Sequence, residues 1–200
     1  KNDRNLVVMV GDISHGILQP FAKKCPDRYY NIGICEPSTV NMAAGLSKVG
    51  LIPVVHTIAP FLIERSYEQI KLDFGYQELP INLVSVGGSF DYSQLGCSHH
   101  CYNDVSLINH FKRANIFMPG SVEEFKTLFK ENYSKNNINY FRLTEHPHQY
   151  NFNQSEIFTG KGIRIKEGND ITIAVVGSQL RTVLNSIELL INKGISAEII

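Results

Sequence analysis

The chain is 200 residues long and 43% apolar, with 19 basic against 19 acidic side chains and no formal net charge. That length accommodates one full α/β domain and part of another; no apolar run reaches the roughly 18 residues of a membrane span, and balanced charge excludes a nucleic-acid surface, which needs clustered cations. Cys25, Cys35, Cys97 and Cys101 lack the spacing of a disulfide-stapled small domain, and Lys1–Asn5 has no signal-peptide character, so the composition points to reduced thiols in the cytoplasm.

Taken in chain order, strands are predicted at Leu6–Val10, Tyr29–Ile34, Ile52–Thr57, Ile81–Val86, Asn115–Met118 and Asn139–Leu143. Each is short and apolar on both faces, as in a parallel sheet covered by helices. Helical periodicity runs through Ser38–Val49, Phe61–Phe74, Asp104–Phe111 and Ser121–Lys130; the last opens on Ser121-Val-Glu-Glu124, a capping-box pattern. The alternation predicts right-handed crossovers and a doubly wound, mainly parallel α/β sheet. Ligands of such sheets lie beyond the carboxyl ends of the strands, which selects the loops after Ile34, Thr57, Val86 and Met118.

Thr144–Thr159, with His146-Pro147-His148 and several Asn and Gln, loses periodicity and reads as a linker. Beyond it Lys161–Lys166 and Ile171–Val176 are predicted strands, Gln179–Asn192 a helix stopped by Gly194, and Ser196–Ile200 the start of another strand. The chain therefore divides into a first domain over 1–146, a linker over 147–159 and the start of a second α/β domain over 160–200. That second part is too short to bury a core of its own and reads as cut short.

The segment Asn31-Ile-Gly-Ile-Cys-Glu36-Pro carries the most chemistry. A buried strand runs into Glu36, and a residue before proline avoids the helical region, so Glu36 is expected as the last extended residue at the sheet's carboxyl edge. Taken by itself it could equally cap a helix and favour its dipole.

Cys25-Pro-Asp-Arg-Tyr-Tyr30, Gly33-Ile-Cys-Glu36, Ala43-Ala-Gly-Leu46 and Pro53-Val54 together resemble the pyrimidine-binding domain of transketolases. They are equally similar to 1-deoxy-D-xylulose-5-phosphate synthase and to 2-oxo acid dehydrogenase beta subunits. The match runs in order over residues 5–143, and Gly160–Ile200 resembles the start of the family's carboxyl-terminal domain. The resemblance implies thiamine diphosphate as cofactor, with Glu36 sharing a proton with N1′ of its aminopyrimidine; the cofactor carries the hard chemistry and the protein tunes it. Pro37 departs from the family, where a Gln or an aromatic is usual.

By the same resemblance Phe61 stacks on the aminopyrimidine, Tyr67 lines that pocket, Asp12 lies near the thiazolium end, and His99 exchanges protons with substrate oxygens. From the residues alone, Phe61 also fits a core aromatic and Asp12 a turn. Glu64 and Arg65 fit either a surface pair or a partner contact. Cys97, His99, His100 and Cys101 are metal-ligand types, but four ligands within five residues cannot all surround one tetrahedral ion, so no metal is assigned to this chain.

The family anchors the diphosphate through Mg²⁺ on a Gly-Asp-Gly motif. Gly11-Asp12-Ile13 is the nearest string here and lacks the second glycine, so a separate diphosphate-binding subunit is expected, in a homodimer or heterotetramer. Leu95 stands where transketolases usually carry an aspartate that reads a sugar hydroxyl, and Thr144 or Glu145 where a phosphate-binding arginine is expected; Arg142 is expected to point to the opposite face. The implied activity is transfer of a two-carbon ketol unit between sugars. The alternatives are a decarboxylating synthase or dehydrogenase subunit, or a non-catalytic relic that binds a partner.

Overall fold

The computed structural model describes residues 3–200; the first two residues of the Lys1–Asn5 segment lie outside it. The chain forms two compact units, one from residues 3–117 and 132–143, the other from 118–131 and 144–200.

The first unit runs β1 (Leu6–Val10), α1 (His15–Lys24), β2 (Tyr29–Asn31), α2 (Glu36–Lys48), β3 (Ile52–Ile58), α3 (Tyr67–Gln69), β4 (Ile81–Val86), α4 (Asp104–Ile108), β5 (Ala114–Phe117) and β6 (Ile138–Arg142); α5 (Val122–Asn132), which follows β5 in sequence, belongs almost wholly to the second unit. All six strands are parallel, in the order β2-β1-β3-β4-β6-β5. This is the doubly wound α/β sheet expected. Because winding reverses between β1 and β3, that pair marks the topological switch point, where ligands of open sheets bind. Gly11 allows a close approach there: a Cβ on it would sit tightly, 3.1 Å from Thr57 Oγ1.

Met9, Val55, Leu83 and Tyr140 of the strands pack with Val40, Ala43 and Ala44 of α2 and with Leu62, Ile63, Ile70 and Phe74 of the following helical segment. Small residues at 43 and 44 bring α2 close to the sheet. On the same sheet Asn115, Asn139 and Asn82 form a polar ladder, Asn115 Nδ2 donating to Asn139 Oδ1 and Asn139 Nδ2 to Asn82 Oδ1, both at 3.1 Å. Asn139 is fully buried, so this ladder satisfies groups that would otherwise be costly.

Several local expectations need correction. The second strand stops at Asn31 rather than Ile34, because Asn31 Oδ1 accepts from the backbone of Asp12 and Gly33, and Gly33 turns the chain at φ 84°. Glu36 is consequently not extended; it is the first residue of α2, with Cys35 at the cap and Pro37 in the first turn, where its missing N–H costs nothing. Helix α1 was not predicted, since Gly16 and Pro20 interrupt its apolar period. The helical stretch after β3 is π-type over Pro60–Glu64 and Ile70–Tyr76, with α3 between; Arg65 N–H donates to the Pro60 carbonyl, five residues back, at 3.0 Å.

In the second unit β7 (Ile171–Ile173) and β8 (Ala197–Ile199) pair in parallel around α6 (Gln179–Asn192), and Gly194, at φ 71°, ends the helix. Lys161–Lys166 is not a strand: Lys166 alone bridges to Ile199. The capping-box serine acts as predicted, Ser121 Oγ accepting from Glu124 N–H at 3.2 Å, while Glu124 reaches back to Gly120 N–H and also meets buried His148 at 2.8 Å.

Candidate active site

Glu36 is 2% exposed, which takes an ionisable group almost wholly out of water. Its Oε2 accepts from Arg65 Nη1 at 2.7 Å, while its Oε1 is buried with no hydrogen-bond partner among the described residues. An orphaned buried acceptor costs about 1–3 kcal/mol and native structures contain few of them. Sequence reasoning placed Arg65 at the surface or against a partner, not on Glu36. A usable signal was the spacing from Phe61: four residues along a helix place a long side chain over an aromatic face. The guanidinium carbon lies 4.1 Å from the Phe61 ring centroid, well inside cation–π range.

His99 also meets Phe61, in a T-shaped contact with ring centroids 5.2 Å apart. His99 Nδ1 shares a 3.0 Å hydrogen bond with Ser98 Oγ, and the Tyr92 ring stands perpendicular at 6.5 Å. The loop bearing them is closed at its base by a two-way backbone bridge, Ser89 N–H to Cys101 O and Cys101 N–H to Ser89 O. Below that bridge, Asp104 Oδ2 accepts from Arg142 Nε at 2.6 Å and from the Tyr140 hydroxyl at 2.7 Å, and Arg142 Nη2 donates to Ser89 Oγ at 2.7 Å. Arg142 and Tyr140, two residues apart on β6, thus share one face as strand alternation requires, and the Asp104 carboxylate holds Arg142 against the loop. Burial, followed by the Asp104 and Glu64 carboxylates, pushes the Cys101 thiol up well beyond the range of a reactive cysteine.

Asp12 caps the carboxyl end of β1 in a left-handed conformation (φ 56°) and is half exposed. Hydrogen bonds from Asn31 Nδ2 and then from His15 hold its carboxyl below the usual range. Tyr67 faces Phe111, ring centroids 5.8 Å apart, rather than Phe61. His56, a residue missed from sequence, lies within β3 with Nδ1 at 2.9 Å from the Val84 carbonyl and Nε2 at 2.8 Å from Ser14 Oγ. Nδ1 donates to that carbonyl, Nε2 and the Ser14 hydroxyl share the second hydrogen bond, and burial holds the ring's pKa below its ordinary value. A lone histidine in an apolar strand was the clue. Around 97–101 the side chains diverge, His99 toward Phe61, His100 toward Phe90, and Cys101 inward.

Sequence comparison matches residues 1–148 to the transketolase pyrimidine-binding domain. The chain belongs to this family. An apulose-4-phosphate transketolase subunit from Actinobacillus succinogenes is 32% identical over the whole chain, which spans 65% of that protein. A 6-deoxy-6-sulfo-D-fructose transketolase subunit from Clostridium sp. is 25% identical, with 62% of its length spanned. The chain thus spans just under two thirds of these curated relatives. Among solved structures, a split-gene transketolase described as an inactive beta4 tetramer superposes with a TM-score of 0.86 at 28% identity, over 98% of this chain and 64% of that one.

Transketolase-family membership implies thiamine diphosphate, and the site can be tested for it on its own terms. A flat aminopyrimidine bonded through one of its ring nitrogens needs a buried carboxylate oxygen and an apolar face. Glu36 Oε1 and Phe61 supply both, so these residues fit the pyrimidine end of that cofactor. Among the described residues no cluster of His, Cys, Asp or Glu is suited to hold a metal ion, and no helix is long and apolar enough to cross a membrane.

Proposed function

We propose that this chain supplies the pyrimidine half of a thiamine-diphosphate-dependent transketolase, one subunit of a split enzyme. It transfers a two-carbon ketol unit from a ketose to an aldose. The unsatisfied Glu36 Oε1 carries this reading, because a buried carboxylate oxygen without a partner is poised for a proton-bearing nitrogen. When bound, thiamine diphosphate supplies the nucleophilic carbon that amino-acid side chains lack. Glu36 holds and moves the proton at Oε1, Phe61 fixes the plane of the ring, and Tyr67, propped by Phe111, belongs to the pocket wall. With Ser98 engaging Nδ1, His99 presents Nε2 to substrate oxygens. Asp12, kept ionised, faces the positive thiazolium.

The diphosphate and its Mg²⁺ fall to a second polypeptide bearing a Gly-Asp-Gly motif, with two such pairs assembled in the cytoplasm. The beta4 relative, described as inactive, supports the need for that partner. Both named relatives are described with ketoses carrying an anionic group, a phosphate in one and a sulfonate in the other. Here Arg142 is bound to Asp104, and Leu95 is 52% exposed on the His99 loop. An apolar side chain where an acid usually reads a hydroxyl favours a sugar modified at that position.

The test is reconstitution with the Gly-Asp-Gly subunit, thiamine diphosphate and Mg²⁺, assaying ketose plus aldose against pyruvate plus aldehyde. Glu36→Gln should lose at least about 100-fold in kcat, the span general acid–base groups contribute. Undiminished turnover by Glu36→Gln would falsify the assignment.

A further inference from the structure

We propose that Arg65 is the positioning residue of Glu36: its guanidinium binds Oε2 and so leaves Oε1 as the single atom through which the carboxylate exchanges a proton. This rests on the reading of Glu36 given above and extends it to a residue that neither the family match nor any resemblance assigned.

The two oxygens of a carboxylate are chemically equivalent, and a side chain ending in one can present either by rotating about its last bond. In this site they are unequal. Oε2 takes a charge-assisted hydrogen bond at 2.7 Å, whereas Oε1, equally buried, takes none. Burying a carboxylate costs several kcal/mol unless a cation compensates it, and Arg65 is the cation bonded to Glu36. The guanidinium is itself held. Its central carbon lies 4.1 Å from the Phe61 ring centroid while Nη1 donates to the carboxylate, so the same group meets both the aromatic and Glu36. A lysine ammonium has no planar face and cannot do both at once. Arg65 is 43% exposed, so its own desolvation is modest and its side chain can be replaced without opening the core.

The experiment compares wild type, Arg65→Ala, Arg65→Gln, Arg65→Lys and Glu36→Gln in the reconstituted two-subunit complex. Calorimetry gives the Kd of thiamine diphosphate as a function of pH, and steady-state assays give kcat and KM. Arg65→Ala and Arg65→Gln should weaken cofactor binding about tenfold and lower kcat about 10–100-fold, with substrate KM within about threefold. The acid limb of the kcat profile should move to higher pH. Added methylguanidinium should restore Arg65→Ala toward wild type, and Arg65→Lys should recover less than half the loss. If both Arg65→Ala and Arg65→Gln keep wild-type Kd, kcat and pH profile while Glu36→Gln is inactive, the positioning role is wrong and the Glu36 assignment stands. If Glu36→Gln is itself fully active, both fall.

Discussion

Replacing Asp104 by alanine tests how the His99 loop is held. Asp104 is 1% exposed and Arg142 13% exposed, so this pair is screened very little by solvent. The substitution removes the acceptor of both the Arg142 Nε bond at 2.6 Å and the Tyr140 hydroxyl bond at 2.7 Å, leaving a buried guanidinium without its counter-charge. Breaking a buried pair from one side costs about 3–5 kcal/mol. At the 2–4 °C per kcal/mol typical of a chain this size, Tm should fall by roughly 6–20 °C. Urea unfolding followed by circular dichroism, with calorimetry for Tm, measures it. Replacing both partners, as Asp104→Leu with Arg142→Met, should recover most of the loss, because an apolar pair leaves no charge stranded. In the reconstituted complex Asp104→Ala should also raise substrate KM, since Arg142 ties Ser89, at the base of the loop, to this carboxylate. The exposed pair Arg164–Glu167 serves as control, and Glu167→Ala should leave Tm unchanged. A loss below about 1 kcal/mol for Asp104→Ala refutes the reasoning, because a buried charge pair cannot be broken that cheaply.

Two further outcomes are expected. Burial holds the His56 pKa below its ordinary value, so the unfolded chain binds a proton there that the folded chain refuses. This contribution is complete above the unfolded pKa of about 6.5 and is lost as pH falls from there toward the folded value; a Tm series from pH 8 to pH 5 should show a steeper acid decline for wild type than for His56→Gln. Cys101, buried and with its thiol held protonated, should resist iodoacetamide until urea unfolds the chain, while exposed Cys97 is modified in the native state; peptide mass spectrometry reads both.

Elements whose cause is local were legible in the sequence. Leu6–Val10, Ile81–Val86 and Gln179–Asn192 were predicted at their observed bounds, because an unbroken apolar run or a clean helical period sets them. Where a side-chain hydrogen bond or an interrupted apolar period decides, prediction slipped. The Asn31 amide ends β2 three residues early, and Gly16 and Pro20 hide α1 from any periodicity argument. The candidate site divides in the same way: Glu36, Phe61 and His99 were singled out from the motifs around them through the family resemblance, whereas the loop between Asn31 and Glu36 was not foreseen.

By itself the sequence determined the parallel sheet and the strand–helix alternation, since apolar period and local backbone chemistry suffice for these. The tertiary structure alone decided that Arg65 meets Glu36, that Arg142 turns onto Asp104, and that one Glu36 oxygen is taken and the other left bare. Those contacts join residues 29 and 38 positions apart, through crossovers whose packing no local pattern encodes.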